Sequence, residues 1–268
     1  MTTAPPSTGG EEPPRPAAPD GAADGSPGRT VAFTVATNGY DQTFADCLES
    51  QRAWADRHGY AYLVLDGAPP GGIDGAESAW LKIFAIRELL DRPEVAHVVF
   101  LDADATVRPH APAAPTDAGF SILAARDHTG RYNSGVLLVR AADDARAFFR
   151  RLCRMADVPP VWLPKRDRNL WENGHFIYLA RKTGAVGDLD PQWNFTSGLE
   201  APGGPDGWVE GEEYVCHGRG RYLEKPRTGP KPGRWAKALR RLRRGSRTLR
   251  VAGHLRHYRP KLHAAAAE

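Results

Sequence analysis

The run Val98-Val99-Phe100-Leu101 offers no polar residue to either face, so it reads as a strand buried on both sides. Strands of that kind belong to open α/β sheets covered by helices, whose ligands bind in the crevice beyond the carboxyl ends of the strands. The chain reaches that position at Asp102-Ala103-Asp104. An Asp-x-Asp after a strand is a common turn, because the Asp side chain bonds the backbone amides that follow it. Two carboxylates one residue apart can also gather oxygen ligands around a hard divalent cation such as Mg²⁺ or Mn²⁺, which keeps water and a substrate diphosphate in its remaining positions.

The surrounding pattern supports the sheet. Residues 31–35 read as a first strand and Ala36-Thr37-Asn38-Gly39-Tyr40 as the turn after it, with Asp41 placed to cap the next helix. Phe44, Cys47, Leu48, Gln51 and Trp54 recur at helical spacing, and Gly59 suits the left-handed residue that closes a helix. A second strand is predicted over 60–65, and a second helix over about 78–90 with Trp80, Ile83 and Phe84 on its apolar face. Residues 121–125 and 135–139 are two further apolar runs joined by a polar, hairpin-like loop, and helices follow over 142–155 and about 169–182. This alternation predicts an α/β fold with one mixed, mostly parallel sheet flanked by helices.

The ends of the chain differ from its middle. Residues 1–29 are dominated by Pro, Gly, Ala, Ser and Thr and read as a disordered tail, without the charged start and apolar core of a secretory signal. With no stretch long enough to span a membrane, the expected location is cytoplasmic. From Arg227 onwards lie 13 of the 36 Lys and Arg but one of the 32 Asp and Glu, so the net charge of +4 hides an acidic body and a basic C-terminal tail. The body therefore lacks the electrostatic footprint of a nucleic-acid binder. Cys47, Cys153 and Cys216 are odd in number and far apart, which suggests neither a disulfide framework nor a zinc knuckle.

No Gly-x-Gly-x-x-Gly follows the first strand, and there is no Walker A loop. A sheet of this type without a phosphate loop needs another way to hold a phosphate, and a metal on two carboxylates is one.

Several short motifs then form a recognisable series. Arg52-Ala53-Trp54-Ala55-Asp56-Arg57-His58-Gly59-Tyr60, Trp80-Leu81-Lys82-Ile83, Phe100-Leu101-Asp102-Ala103-Asp104, Tyr132-Asn133-Ser134-Gly135-Val136, Trp171-Glu172-Asn173-Gly174, Trp193-Asn194 and His217 occur in that order. In this order the chain resembles GT-A glycosyltransferases, in particular the plant xyloglucan xylosyltransferases with the yeast galactosyl- and mannosyltransferases, and more distantly the glycogenin-like family. The resemblance covers roughly 30–220, and implies a GT-A-type domain over 30–226 between the two tails. It implies transfer of a sugar from a nucleotide-diphosphate sugar, with a UDP-sugar as the expected donor here, to a hydroxyl acceptor. The acceptor would be a glycan, a lipid-linked glycan or a small molecule.

By the same resemblance Asp102, Asp104 and His217 would hold Mn²⁺ or Mg²⁺ against the diphosphate. Thr37, Asn38 and Tyr40 would border the nucleoside, with Ala103 beside it. Asn133, Ser134 and Gly135 combine an amide, a hydroxyl and a residue without a side chain, suited to gripping sugar hydroxyls while the backbone approaches, though they also suit an ordinary turn. Lys82 could face the donor phosphates or be a solvated helix lysine. Glu172 and Asn173 match the acid-Gln stretch beside the anomeric carbon, with Asn in place of Gln. In a retaining enzyme they would stabilise an oxocarbenium-like charge, and in an inverting one Glu172 would be the base. Trp162, Trp171 and Trp193 could stack on sugars or serve as core.

Residues 235–244 read as a short cationic amphipathic helix that could lie on an anionic membrane or remain solvated. The other functions compatible with the chain are a sugar-phosphate nucleotidyltransferase, and a non-catalytic binding protein docking through its basic tail.

Overall fold

The computed structural model describes residues 28–116, 119–127, 129–168, 171–196, 213–217 and 245–267. Strands β1 (Arg29–Ala36), β2 (Ala61–Asp66) and β3 (Val95–Leu101) alternate with helices α1 (Tyr40–Thr43), α2 (Ala45–Arg57) and α3 (Gly75–Leu90). The short β4 (Ala105–Val107) is followed by the hairpin of β5 (Ile122–Arg126) and β6 (Tyr132–Arg140), then by α4 (Asp143–Arg154) and α5 (Trp171–Thr183). Three short strands, β7 (Val186–Asp188), β8 (Phe195–Thr196) and β9 (Val215–His217), precede the last helix, α6 (Arg247–Ala267).

Six strands form one mixed sheet in the order β2-β1-β3-β6-β5-β7. β1 pairs parallel with both β2 and β3, and β6 runs antiparallel to β3 and β5. The chain moves from β1 to β2 on one side and then crosses to β3 on the other, so the strand order reverses at β1/β3. A crevice opens beyond the carboxyl ends of neighbouring strands at such a reversal. A second, three-stranded sheet, β4-β9-β8, stands beside the first. Its strands hold only two or three residues each, too short for any periodicity to announce them.

The core lies on both faces of the large sheet. On one, α3, α4, α5 and α6 cover Val31, Phe33, Val98 and Phe100; on the other, Trp54, Val99, Leu101, Leu138, Trp193 and Val215 pack between the two sheets and α2. Trp193 is thereby a core residue, with its ring edge-on to Trp54 and Tyr214.

Two helix starts differ from the sequence reading. Gly39, at φ +80, is the N-cap of α1, and Asp41 lies inside its first turn rather than capping it. Helix α3 begins at Gly75, because Asp74 and Glu77 form a capping box that satisfies the end of the helix ahead of the apolar stripe.

Within the basic C-terminal stretch, helix α6 packs on the body of the protein and is no free tail. Val251, Leu255, Tyr258, Leu262 and Ala266 are buried in the main core. Burying Val251, Leu255 and Leu262 stabilises by about 1.5–3 kcal/mol each, far more than the exposed charges between them cost. Asp157 caps the start of α6, accepting from the Ser246 hydroxyl and the backbone N–H groups of Arg247 and Thr248. Glu77 pairs with Arg250 and His254. The cationic segment at 235–244 and residues 1–27 lie outside the described residues. Among the described residues no helix is long and apolar enough to cross a membrane.

Candidate active site

At the end of β3 the backbone turns sharply, with the Ala105 N–H donating to the Asp102 carbonyl at 3.0 Å. The buried Gln51 amide braces this turn by donating to the carbonyls of Asp102 and Ala105, and its own oxygen accepts from the Tyr62 hydroxyl. Ala103, between the two acids, faces inward against Ala36, Phe44 and Cys47. With Ala103 turned inward, Asp102 and Asp104 stay partly exposed beside the end of β1.

His217 comes from far along the chain and is brought in by the second sheet. β9 runs antiparallel to β4 with Ala105 opposite His217, so the imidazole lands next to Asp104. Its Nε2 lies 3.3 Å from Asp102 Oδ2 and 3.3 Å from Asp104 Oδ1. One ligand atom from each of Asp102, Asp104 and His217 lies within 4.8 Å of the others. Burial alone would lower the pKa of His217, but hydrogen bonds and charge from the two carboxylates outweigh it and push the value up to about 9. Without a cation the imidazole therefore carries the positive charge between the two acids.

Two features set the ring. Asn194, 3% exposed, places its Oδ1 3.0 Å from His217 Nδ1, which leaves Nε2 directed at the carboxylates. Gly135 leaves room, since a Cβ there would lie 2.2 Å from His217 Cε1. The glycine is required by the histidine. Asn194 is the residue whose role the sequence did not disclose, although it stands in the Trp193-Asn194 pair; nothing local shows that it meets a ring on a different strand.

Lys82 is not a solvated helix lysine. It is 4% exposed, and its Nζ lies 2.8 Å from Glu172 Oε1, 3.3 Å from Asp102 Oδ1 and 3.1 Å from the Ser134 carbonyl. Burial would favour the neutral amine, yet Asp102 and Glu172 together raise its pKa, so the ammonium persists. It ties the Asp102 turn on β3 to the first turn of α5.

The remaining expected residues fall around this centre. Ser134 Oγ donates to Glu172 Oε1 at 3.1 Å, and the backbone N–H of Ser134 donates to Asn173 Oδ1 at 3.1 Å. Asn173 Nδ2 donates to the Tyr132 carbonyl, so both ends of that amide hold the β6 backbone. Asn133 Oδ1 accepts from the Gly135 N–H at 2.8 Å, at the start of a strand rather than in a free turn. At the end of β1 the Thr37 hydroxyl shares a 2.7 Å hydrogen bond with Ser78 on α3. Asn38 takes the left-handed conformation at φ +62, and Tyr40 is 46% exposed. The structure thus gathers Asp102, Asp104, His217, Lys82, Ser134 and Glu172 into one connected cluster, with Thr37, Asn38 and Tyr40 at the neighbouring strand end.

No protein-family model matches the chain, and no curated protein does. Among solved structures it is similar to a glycosyltransferase involved in glycosylation of the major capsid of PBCV-1, at 17% identity over 62% of this chain and 84% of that one, with a TM-score of 0.47. It is also similar to the galactosyltransferase LgtC in complex with donor and acceptor sugar analogues, at 18% identity over 83% and 95% of the two chains, with a TM-score of 0.47. A third is a Drosophila galactosyltransferase 7 variant in complex with manganese, UDP-Gal and xylobiose, at 15% identity over 77% and 78%, with a TM-score of 0.43.

Proposed function

We propose that this chain is a metal-dependent glycosyltransferase that moves a sugar from a nucleoside diphosphate sugar, a UDP-sugar by the motif resemblance, to a hydroxyl acceptor with retention. The observation that carries this is the convergence of Asp102, Asp104 and His217 at the sheet's reversal point. Two carboxylates and an imidazole whose far nitrogen is already bonded to Asn194 form a donor set that fits Mn²⁺ or Mg²⁺. Bound there, the ion would supply positive charge against the leaving diphosphate.

The chain's own residues account for the rest of the reading. Thr37, Asn38 and Tyr40 border the nucleoside, Tyr40 with an exposed ring available for the base. The Lys82 ammonium adds fixed positive charge beside Asp102. Ser134 lines the sugar position on β6, with the Asn133 side chain holding the start of the strand and Gly135 making room for His217. In the transfer the bond from the anomeric carbon to the diphosphate oxygen breaks and a bond to the acceptor oxygen forms. The acceptor proton passes to the leaving diphosphate oxygen, so no strong side-chain base is needed. Glu172, a carboxylate buried beside the sugar position, stabilises the oxocarbenium-like charge. Asn173 positions Glu172 and Ser134 by locking α5 to β6.

Incubation with a panel of nucleotide sugars and Mn²⁺ without acceptor tests the reading. Slow release of the nucleoside diphosphate, abolished by chelation and by Asp104→Ala, is expected. No hydrolysis of any nucleotide sugar by the wild type would contradict it.

A further inference from the structure

Glycine takes a positive φ at no steric cost, and a bulky residue there is strained. Trp171 has φ +53. Such strain persists only where the neighbours over-determine the backbone, and here they do. Glu172 is held by Lys82 and Ser134, and Asn173 by the backbone of Ser134 and Tyr132. Gly174 stands so close to the preceding segment that a Cβ would lie 2.1 Å from the Asp167 carbonyl oxygen. His175 places one ring nitrogen 3.3 Å from the Trp171 carbonyl and the other 2.9 Å from that of Val158. The residues that follow dictate the backbone at 171. They do not dictate an indole.

Packing does not explain the side chain either. Trp54, Trp80 and Trp193 are exposed by 3% or less, whereas Trp171 is 56% exposed. Its ring touches Gly75 at the start of α3, where a Cβ would lie 3.1 Å from Trp171 Cη2. Three residues further along, Ser78 meets Thr37 at the end of β1. Trp162 is 77% exposed and precedes Leu163, which packs under Gly174 of α5. Two large apolar rings are therefore left in water at the end of α5 that carries Glu172, one of them in a conformation that stability disfavours.

We propose that Trp171 is the acceptor platform: a pyranose ring lies with its C–H face on the indole and holds a hydroxyl toward the Glu172 side of the site. The inference rests on the glycosyl-transfer reading and narrows it, making the acceptor a glycan rather than a lipid alcohol or a protein side chain. An aromatic face with a few polar groups beyond its edge is what a sugar, apolar on one side and hydroxylated around its rim, requires.

Saturation-transfer NMR of the full chain with UDP and Mg²⁺, offering lactose, cellobiose and maltose in turn, tests it. Transfer to the ring C–H protons of at least one disaccharide is expected. Trp171→Ala should weaken that binding about tenfold, and Trp171→Phe should keep most of it. Trp171→Gly, which relieves the backbone, gives a foldable second variant with the same loss. If the wild type binds UDP with metal but none of the disaccharides, or if Trp171→Ala and Trp171→Gly bind them as the wild type does, the platform is wrong. Failure of the wild type to bind UDP with metal would instead overturn the function proposed above.

Discussion

Gly135→Ala probes the imidazole of the site without touching a ligand. A Cβ at this position would lie 2.2 Å from His217 Cε1 and 2.5 Å from Nδ1, and ordinary contact begins at 3.4 Å. The ring must therefore withdraw by about 1.2 Å, the difference between 2.2 and 3.4 Å. Metal–ligand distances tolerate only about 0.2 Å, so the displaced Nε2 no longer completes the set. Loss of a correctly oriented ligand corresponds to about a 10–100-fold drop in metal affinity, or about 1.4–2.8 kcal/mol. Overpacking adds its own cost of about 1–3 kcal/mol to folding stability. The two effects separate in a double-mutant cycle with His217→Ala. Calorimetric titration with Mn²⁺ should show weak binding in both single variants and in the double. Thermal unfolding should show Gly135→Ala destabilised and the double restored toward wild type, because the clash has lost its partner. Wild-type Mn²⁺ affinity in Gly135→Ala, or no relief of its instability by His217→Ala, would refute the placement of the ring.

Further outcomes follow from the same geometry. Asn194→Leu should lower Mn²⁺ affinity about 10–100-fold while Asn194→Asp, which can still accept from Nδ1, retains most of it; equal affinity in all three forms would remove Asn194 from the site. Lys82→Met leaves the buried Glu172 carboxylate without its cation and should cost about 3–5 kcal/mol of unfolding free energy, largely recovered by adding Glu172→Gln. A loss below about 1 kcal/mol would show that the pair is not buried as described. Docking of α6 should weaken in acid. Burial tends to raise the pKa values of Asp157 and Glu77, but hydrogen bonds from the start of α6 to Asp157, and from Asp74 and Arg250 to Glu77, leave both below their ordinary 3.8 and 4.5. Groups depressed in the folded state stabilise it fully above the unfolded values and lose that contribution as pH falls through the folded ones. The Tm gap between wild type and Asp157→Asn should therefore be larger at pH 7 than at about pH 3, and a gap independent of pH would contradict the cap.

What could be read in the sequence was local and apolar. Val98 to Leu101 announced a central strand, and Phe44, Cys47, Gln51 and Trp54 announced α2, because burial imposes its period on side chains close in the chain. Asp102 and Asp104 stood out because an apolar strand delivers them to its exit. The second sheet did not, since β4, β8 and β9 are held by partners distant in sequence. The meeting of Gly135, Asn194 and His217 depends on that sheet. Helix α6 was hidden by charge: Val251, Leu255, Tyr258 and Leu262 keep helical spacing, but the arginines between them make the segment read as solvated. Trp171 carried no signal of strain at all. A positive φ follows from the locked residues beside it, not from its own identity.

The measurement that bears most directly on the central claim is calorimetric titration of UDP into the full chain with and without Mn²⁺. Saturable binding that requires the metal, and that is lost in both Asp102→Ala and Asp104→Ala, is the predicted result. UDP binding indifferent to Mn²⁺, or unchanged in the two variants, would contradict the assignment of Asp102, Asp104 and His217 as a metal-diphosphate site.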